Sequence, residues 1–520
     1  MLSPDYYDKC TKQLIELYSE LDNAIISDIT RRLLKNGEMT ETAVWQAKQL
    51  QEAGMVYEDI LAEVSARSGR SQNEIKRIFE EAGVTATRND NVFAKAAGFK
   101  EIRTFSKAAL QTLNAGYVKC AGDMSNLTLT TANTSQQLYI SAVNNAYMQI
   151  MSGAFDYNTA IRNAVKSAAA EGAEVMYPSG HIDKLDVAVR RSVLTGVGQT
   201  CRQLSEINAQ DMGTDLMEIT AHSGARPSHA EWQGQVVSLS GRKGYLSKSD
   251  IGYGTGDGFG GWNCRHDWYP FFEGISTRAY TDERLKELNA KNTEYNGEMY
   301  SEYEISQMQR KMERDIRQLK REAVAADTGA KNAESEELAK QFSDDFTQTS
   351  VKLKAKEQKL KDFLNETGQL PDGSRVWSNG FDRGVSQKAV QANKKAIQQK
   401  ALTNAENQRI LKEKIESGEL TIVLNPDKQN PHIYGSNSYD PANNKSYFTI
   451  PLNELQNIVS SKYATGTVYI KPNGQIKEII SLGNDIGVYI DENGTIHGTS
   501  NRITIHYSKK RTHVVPAKKE

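Results

Sequence analysis

Cysteine is scarce in this 520-residue chain, and so are proline, long apolar runs and any excess of one charge sign. The four cysteines (Cys10, Cys120, Cys201, Cys264) show no pairing spacings. That excludes a disulfide framework and fits folding in a reducing cytoplasm. No 18-residue apolar segment occurs, so no membrane span and no membrane partner is expected. The opening MLSPDYYDKC has no basic stretch followed by an apolar run, so no secretory leader is expected either. Basic and acidic residues nearly cancel, 64 against 65, so overall charge argues neither for nor against nucleic acid. Eleven prolines leave 5–177 and 281–370 free of them, which permits long uninterrupted helices. The length is too great for one core and suggests about three domains.

Residues 1–210 read as a helical domain. Leu14, Leu17, Leu21, Ile25 and Ile29 recur at spacings of three and four, one apolar stripe. A second helix is expected to start near Thr40 as its cap. Asp59–Ala66 and Gln72–Ala82 read as a pair separated by a Ser-Gly-Arg-Ser turn at 68–71, with Ser71 and Glu74 matching a capping box. Leu127–Leu138 is threonine-rich and reads as loop or strand. Ala142–Met151 and Tyr157–Ala170 return to helical periodicity.

Residues 211–274 change character. Glycine is dense, and Trp232, Trp262 and Trp268 cluster. His222, His229, Cys264 and His266 are all zinc-ligating types, and a structural zinc stapling a loop-rich subdomain is one reading of them. The other is hydrogen bonding within a tryptophan-rich core, since spacings of six and one are not those of the familiar zinc modules. Gly252–Gly261 lacks the Gly-Lys-Ser/Thr ending of a phosphate loop, which argues against nucleotide binding. The run His222–Gln235 (HSGARPSHAEWQGQ), then Gly261–His266 (GWNCRH) and Tyr269-Pro270-Phe271, resembles the phage minor capsid protein 2 family, related to Mu F-like head proteins. The opening Ser3–Lys9 fits too, so the resemblance spans roughly 1–274. It implies a few copies per virion, contact with the portal and other head proteins, and a role in head assembly or delivery of phage DNA. It implies no catalytic residues.

Residues 275–418 read as a connector of exposed charged helix or short coiled coil, with Met308, Met312, Ile316 and Leu319 at helical spacing. Asp327–Glu337 looks like a flexible break, 371–384 like a turn-rich loop with Trp377 as an isolated anchor, and Val385–Glu416 like a polar helix.

Residues 419–520 read as a separate α+β domain. Strands are expected at Leu420–Leu424, Val468–Ile470, Ile476–Ile480, Gly487–Ile490 and Ile503–Ser508, with turns at Pro472-Asn473-Gly474 and Glu492-Asn493-Gly494 and a helix over Ile450–Tyr463. The whole chain is thus multidomain. A mainly α body carries an irregular Gly/Trp-rich subdomain, then a helical connector, then a small α+β domain with an antiparallel sheet. This last hundred residues holds four of the eight histidines, and 501–520 carries six Lys/Arg against one Asp/Glu.

Ile503, Ile505 and Tyr507 alternate with Thr504, His506 and Ser508, the period-2 mark of a half-buried strand. A turn centred on Lys510 and Arg511 would set His506 opposite Val515. His513 then lies diagonally on the same face, with Cα atoms roughly 7–8 Å apart. Two imidazoles so placed can bracket a phosphodiester as base and acid. Lys509, Lys510 and Arg511 would sit at the tip, where a phosphate backbone passes. A one-residue change in the loop would separate the histidines, and the alternative is a surface hairpin with incidental histidines.

Asn425–Ile433 (NPDKQNPHI), Gly487–Asp491 (GVYID) and Thr504–Lys518 (TIHYSKKRTHVVPAK) resemble the polymorphic-toxin type 50 domain, a family assigned to the nuclease superfold of barnase, EndoU, the RNase colicins and RelE. The resemblance implies RNA cleavage without a metal cofactor. Its candidates are His432, His506 and His513, supported by Ser508 and Lys509. Arg511 stands where a turn would accept glycine. Such chemistry removes the ribose 2′-hydroxyl proton, attacks the adjacent phosphate and protonates the leaving 5′-oxygen, while a cation (Lys509 or Lys428) holds the charge. His497 reads as incidental. An active toxin would need an immunity protein or confinement to spare the producing cell. The competing reading is a purely structural head component whose last domain binds portal, scaffold or nucleic acid. An ADP-ribosyltransferase is disfavoured, because the last hundred residues contain no E-x-E pair.

Overall fold

The computed structural model describes residues 2, 4–35, 42–378 and 380–519. The chain forms two compact units, 1–393 and 394–520. In the first, helix α1 (Lys12–Leu34) buries the stripe Leu14, Leu17, Leu21, Ile25 and Ile29. Helix α2 (Thr42–Ala96) follows, and the expected cap Thr40 lies outside the described residues. The turn expected at 68–71 is absent: α2 runs straight through it. Gly69 costs a helix about 1 kcal/mol relative to alanine, but burial of Ile75, Ile78 and Phe79 outweighs that. Ser71 is buried mid-helix with its hydroxyl 3.2 Å from that of Tyr18, and Glu74 pairs with Arg77 instead of closing a capping box.

Helix α3 (Lys107–Met151), capped by Ser106, absorbs the threonine-rich stretch, which is neither loop nor strand. The hydroxyls of Thr130 and Thr131 donate to carbonyls four residues back at 2.8–2.9 Å and that of Thr134 to the Glu174 carbonyl at 2.6 Å, so each is satisfied with its residue in the helix. Helices α4 (Tyr157–Glu171) and α5 (Leu185–Asp211) complete the bundle core.

The charged connector is a helical hairpin, α6 (Glu302–Asn332) and α7 (Glu336–Thr367), that packs on the body. Ser301 and Glu304 form a capping box at the start of α6. Only 333–335 interrupts the hairpin, so most of the expected flexible break is ordered. Asp327 lies inside α6, paired with Lys331 and with Lys388 of helix α8 (Arg383–Glu416). Buried Ala323–Ala326 and Arg321, whose guanidinium donates to the Ala169 and Ala170 carbonyls, show that α6 is not merely a solvated face. Trp377 is 43% exposed and anchors little.

Residues 216–271 form a small sheet, β1 (Leu216–Ile219), β2 (Val236–Ser238), β3 (Leu246–Ser247) and β4 (Trp268–Phe271), in the order β3-β2-β1-β4. Its core is Met217, Ile219, Trp232, Val237, Ile251, Phe259, Cys264 and Trp268. The glycine-rich segment is a tight loop closed on itself. A Cβ at Gly258 would lie 2.1 Å from the Gly252 carbonyl oxygen, so the glycine serves packing, not phosphate.

In the second unit, strands β5 (Tyr447–Phe448), β6 (Thr467–Ile470), β7 (Ile476–Ser481), β8 (Gly487–Ile490), β9 (Ile496–Ser500), β10 (Arg502–Tyr507) and β11 (His513–Pro516) form two antiparallel sheets, β6-β7-β10-β11 and β9-β8-β5. Helix α9 (Leu452–Lys462) and the end of α8 close the core, with Leu411, Leu455, Val459, Ile476, Ile480, Ile503, Ile505 and Val514 all buried. Both expected Asn-Gly turns form, with Gly474 and Gly494 at φ +80°. The strand expected at Leu420–Leu424 reduces to one bridge, Thr421 to Ser508.

Candidate functional site

Burial alternates along β10: Ile503, Ile505 and Tyr507 face the core, and Thr504 and His506 face away. In the observed register Thr504 pairs with Val515 and His506 pairs directly with His513. The histidines are therefore opposite neighbours, not the diagonal pair expected from a turn centred on Lys510 and Arg511. The turn centres on Lys509 and Lys510 because Thr512 is drawn into the hairpin. Its buried hydroxyl accepts from the Ser508 amide at 3.0 Å and lies 2.7 Å from the Thr421 carbonyl oxygen. A two-residue slip keeps both histidines on one face. Their rings stack at 5.0 Å between centroids and 10° between planes.

The same row continues across the sheet. Lys477 on β7 pairs with His506, and Tyr469 on β6 pairs with Lys477, whose Nζ sits 5.3 Å from the tyrosine ring centroid. Neither residue was among the sequence candidates. Their signal was the outward phase of strands whose Val468 on β6, and Ile476, Glu478 and Ile480 on β7, point inward.

The NPDKQNPH segment is docked onto this hairpin by its amides. Asn425 caps the short helix Pro426–Gln429 and donates through Nδ2 to the Lys510 carbonyl at 3.0 Å. Gln429, fully buried, accepts from the Val514 amide at 2.7 Å and donates to the Val514 carbonyl at 3.0 Å, standing in for a further strand on β11. This docking brings His432 to the histidine pair. Its Nδ1 donates to the Ser446 carbonyl at 2.7 Å, leaving Nε2 for a substrate. His513 Nδ1 is likewise engaged, by the Arg511 carbonyl at 3.2 Å. Beside His432, Tyr434, Tyr439 and Tyr447 cluster with centroids 5.4–5.6 Å apart, and Tyr434 is 64% exposed.

Lys428, Lys509, Lys510 and Arg511 are exposed around the hairpin tip. Ser508 Oγ accepts from the Arg511 amide at 2.7 Å, so this hydroxyl closes the turn. His497 stands apart, paired with Asp491 at 2.8 Å. That bond, foremost among several, holds the Asp491 carboxyl down at about 2.

Burial, then the neighbouring His513, Lys477, Lys471 and His432, depresses His506 from 6.5 to about 4. Burial also lowers His432, helped by His513 and Lys445. His506 is therefore a neutral imidazole at neutral pH, with a lone pair to accept a proton.

In the first unit, His229, Cys264 and His266 are buried, and their ligand atoms lie within 4.8 Å of one another, a group that can hold a metal ion. His222 lies with its ring 4.4 Å from that of His266. Burial lowers all three histidines, His266 furthest, so each presents a neutral ring.

Comparison with known proteins agrees with this division. Residues 2–365 match the family described as phage minor capsid protein 2, and residues 424–516 match bacterial toxin 50. A structural protein of Lactococcus phage LL-H is 25% identical over 309 residues, 56% of this chain and 80% of its own. A structural protein of Lactococcus phage mv4 is 39% identical over 83 residues, 16% of this chain and 58% of its own. No solved structure matches.

Proposed function

The chain belongs to the phage minor capsid protein 2 family, and on that premise we propose that it is a head protein carrying a metal-independent ribonuclease toxin at its C-terminal end. The observation that carries the reading is the stacked His506–His513 pair, flanked by Lys477 and His432 on one face of the sheet. His506, held neutral, takes the 2′-hydroxyl proton, and the freed oxygen attacks the adjacent phosphorus. His513 gives a proton to the departing 5′-oxygen, which leaves a cyclic phosphate and a free 5′-hydroxyl. Lys477 stabilises the charge that builds on the phosphoryl oxygens. Lys428, Lys509, Lys510 and Arg511 hold the flanking phosphates, and Tyr434, Tyr439 and Tyr447 offer faces on which bases stack.

The body sits in the virion, against the portal or inner head. The producing cell is spared by an immunity protein or by confinement of the toxin in the capsid. The His/Cys cluster of the first unit holds a structural zinc ion and takes no part in the cleavage.

The test is cleavage of transfer, ribosomal and messenger RNA by the full chain in EDTA, beside His506→Ala and His513→Ala. Cleavage by the parent, lost in both variants, supports the proposal. A folded parent that binds RNA and leaves it whole overturns the catalytic reading and leaves a structural domain.

A further inference from the structure

Two loop segments of the first unit, 222–229 and 264–266, converge on the His/Cys cluster, and each of its three histidines has one ring nitrogen already committed to an oxygen. His222 Nδ1 donates to the Ser223 carbonyl at 2.8 Å, and His229 Nε2 donates to the Asp257 carbonyl at 2.8 Å. His266 Nε2 donates to Gln233 Oε1 at 3.1 Å, and the same oxygen accepts from the His222 amide at 3.2 Å. Carbonyl oxygens only accept, so these bonds fix the tautomers and leave lone pairs on His222 Nε2, His229 Nδ1 and His266 Nδ1. An imidazole oriented by an acceptor on its far nitrogen is the usual outer arrangement of a metal-bound histidine.

The bare core reading fails at His222. Its Nε2 is buried and has no hydrogen-bond partner among the described residues. A buried nitrogen of this kind needs an explanation, and an ion supplies one. Three members are close to the required spacing, the ligand atoms of His229, Cys264 and His266 lying within 4.8 Å of one another, and His222, its ring 4.4 Å from that of His266, completes the set by a small ring movement. Cys264 Sγ lies 3.7 Å from His266 Nδ1, and zinc at about 2.3 Å from sulfur and about 2.05 Å from nitrogen gives a tetrahedral edge of about 3.6 Å. The surroundings are built to hold the ligands. Arg202 of α5, buried, donates to the carbonyls of both Cys264 and His266, and the Trp232 ring lies 4.5 Å from His229 and 4.9 Å from His266.

We propose that these residues form a closed, four-coordinate zinc site of three nitrogens and one sulfur, in which His222 Nε2 is the fourth ligand. The proposal rests on the structural-metal reading above and adds which ring nitrogens bind the ion and that the site is closed. With Cys264 as thiolate and no position open to water, the ion is a clamp between the 222–229 loop and the 264–266 turn, not a catalyst.

The test uses the full chain, purified without a histidine tag. Elemental analysis should find one zinc per chain. Zinc-edge X-ray absorption should give one sulfur and three nitrogen ligands. Cobalt substitution should give a tetrahedral absorption band with a thiolate charge-transfer shoulder. His222→Ala should lower zinc affinity by more than the roughly 10–100-fold typical of outer-shell changes and convert the cobalt spectrum to one with a water ligand. Absence of zinc, together with no cobalt spectrum, overturns the metal reading itself. Zinc bound with two nitrogens, one sulfur and an oxygen, or a His222→Ala variant of unchanged affinity and spectrum, leaves the metal in place and overturns the fourth ligand. The absorption measurement on the parent decides even if that variant does not fold.

Discussion

Acidification should weaken the second unit through His506, and the size of the effect follows from its surroundings. Its folded value is about 4 against 6.5 for the free side chain, lowered by burial and then by the cations around it. The unfolded chain therefore binds the proton first as pH falls, so stability is fully present above 6.5 and is lost between 6.5 and 4. Between pH 7.5 and pH 4.5 the linkage amounts to about 2.5 kcal/mol. Because the ring is only half-buried, solvent screening reduces this to about 1–1.5 kcal/mol. The second unit contains no tryptophan, so the readout is hydrogen exchange of the peptide spanning 502–516. Parent and His506→Asn are compared at each pH, which cancels intrinsic exchange rates. The parent's protection should fall about tenfold further than the variant's between pH 7.5 and 4.5. Equal pH dependence in the two proteins would refute the reasoning.

Lys477→Met should lower single-turnover RNA cleavage about 100-fold while leaving the unit folded, and should raise the His506 titration seen by histidine-selective NMR; an unchanged rate removes Lys477 from the chemistry. Gln429→Leu strips both partners from the Val514 backbone and should cost about 2–4 kcal/mol, read as faster exchange in 512–516; unaltered exchange would show that β11 needs no lateral support. Gly329→Ala tests packing against propensity: in an open helix it would stabilise by about 1 kcal/mol, yet its Cβ would meet the buried Phe342 ring at 2.6 Å. Overpacking should win by about 1–3 kcal/mol, and a higher midpoint in tryptophan-monitored unfolding would overturn that.

The helical body was legible wherever one apolar stripe decided it, as along Leu14–Ile29. It was not legible where local preference opposed burial. Ser-Gly-Arg-Ser and the threonines of 127–138 favour turns and extended chain by propensity alone, and both are helix because neighbouring side chains bury against the bundle. The charged hairpin misled for a related reason. Beside Ile305, Ile316 and Val324, many buried positions of α6 are small or polar (Gln309, Glu313, Ala323, Ala325, Ala326, Gly329) and carry little hydrophobic signal, and its buried Arg321 looks like any solvated cation until its carbonyl partners are in place. The start of the second unit was hidden in the same way. Leu411 is buried in its core, and Asn404, Asn407 and Gln408 bond to the Gly466 and Val468 carbonyls, all on a helix that reads as polar linker.

At the histidine pair, parity was readable and register was not. Alternation fixes which residues share a face, and any even slip preserves that set, so His506 and His513 fall together in both the expected and the observed register. What moves the turn is Thr512, a buried hydroxyl bonded to a residue 91 positions away, and no local pattern announces such a bond. Lys477 was missed by the same logic. Its place beside His506 depends on pairing between strands 29 residues apart, and each strand alone shows only that its odd or even members face outward. The His/Cys cluster reverses the balance. There the residue types were visible and the spacings of six and one matched no familiar zinc module, because those spacings describe ligands on short knuckles and helices, whereas His229, Cys264 and His266 are brought together by loops joined by a sheet. A spacing rule encodes a scaffold, and a different scaffold can deliver the same donor set at intervals the rule does not contain.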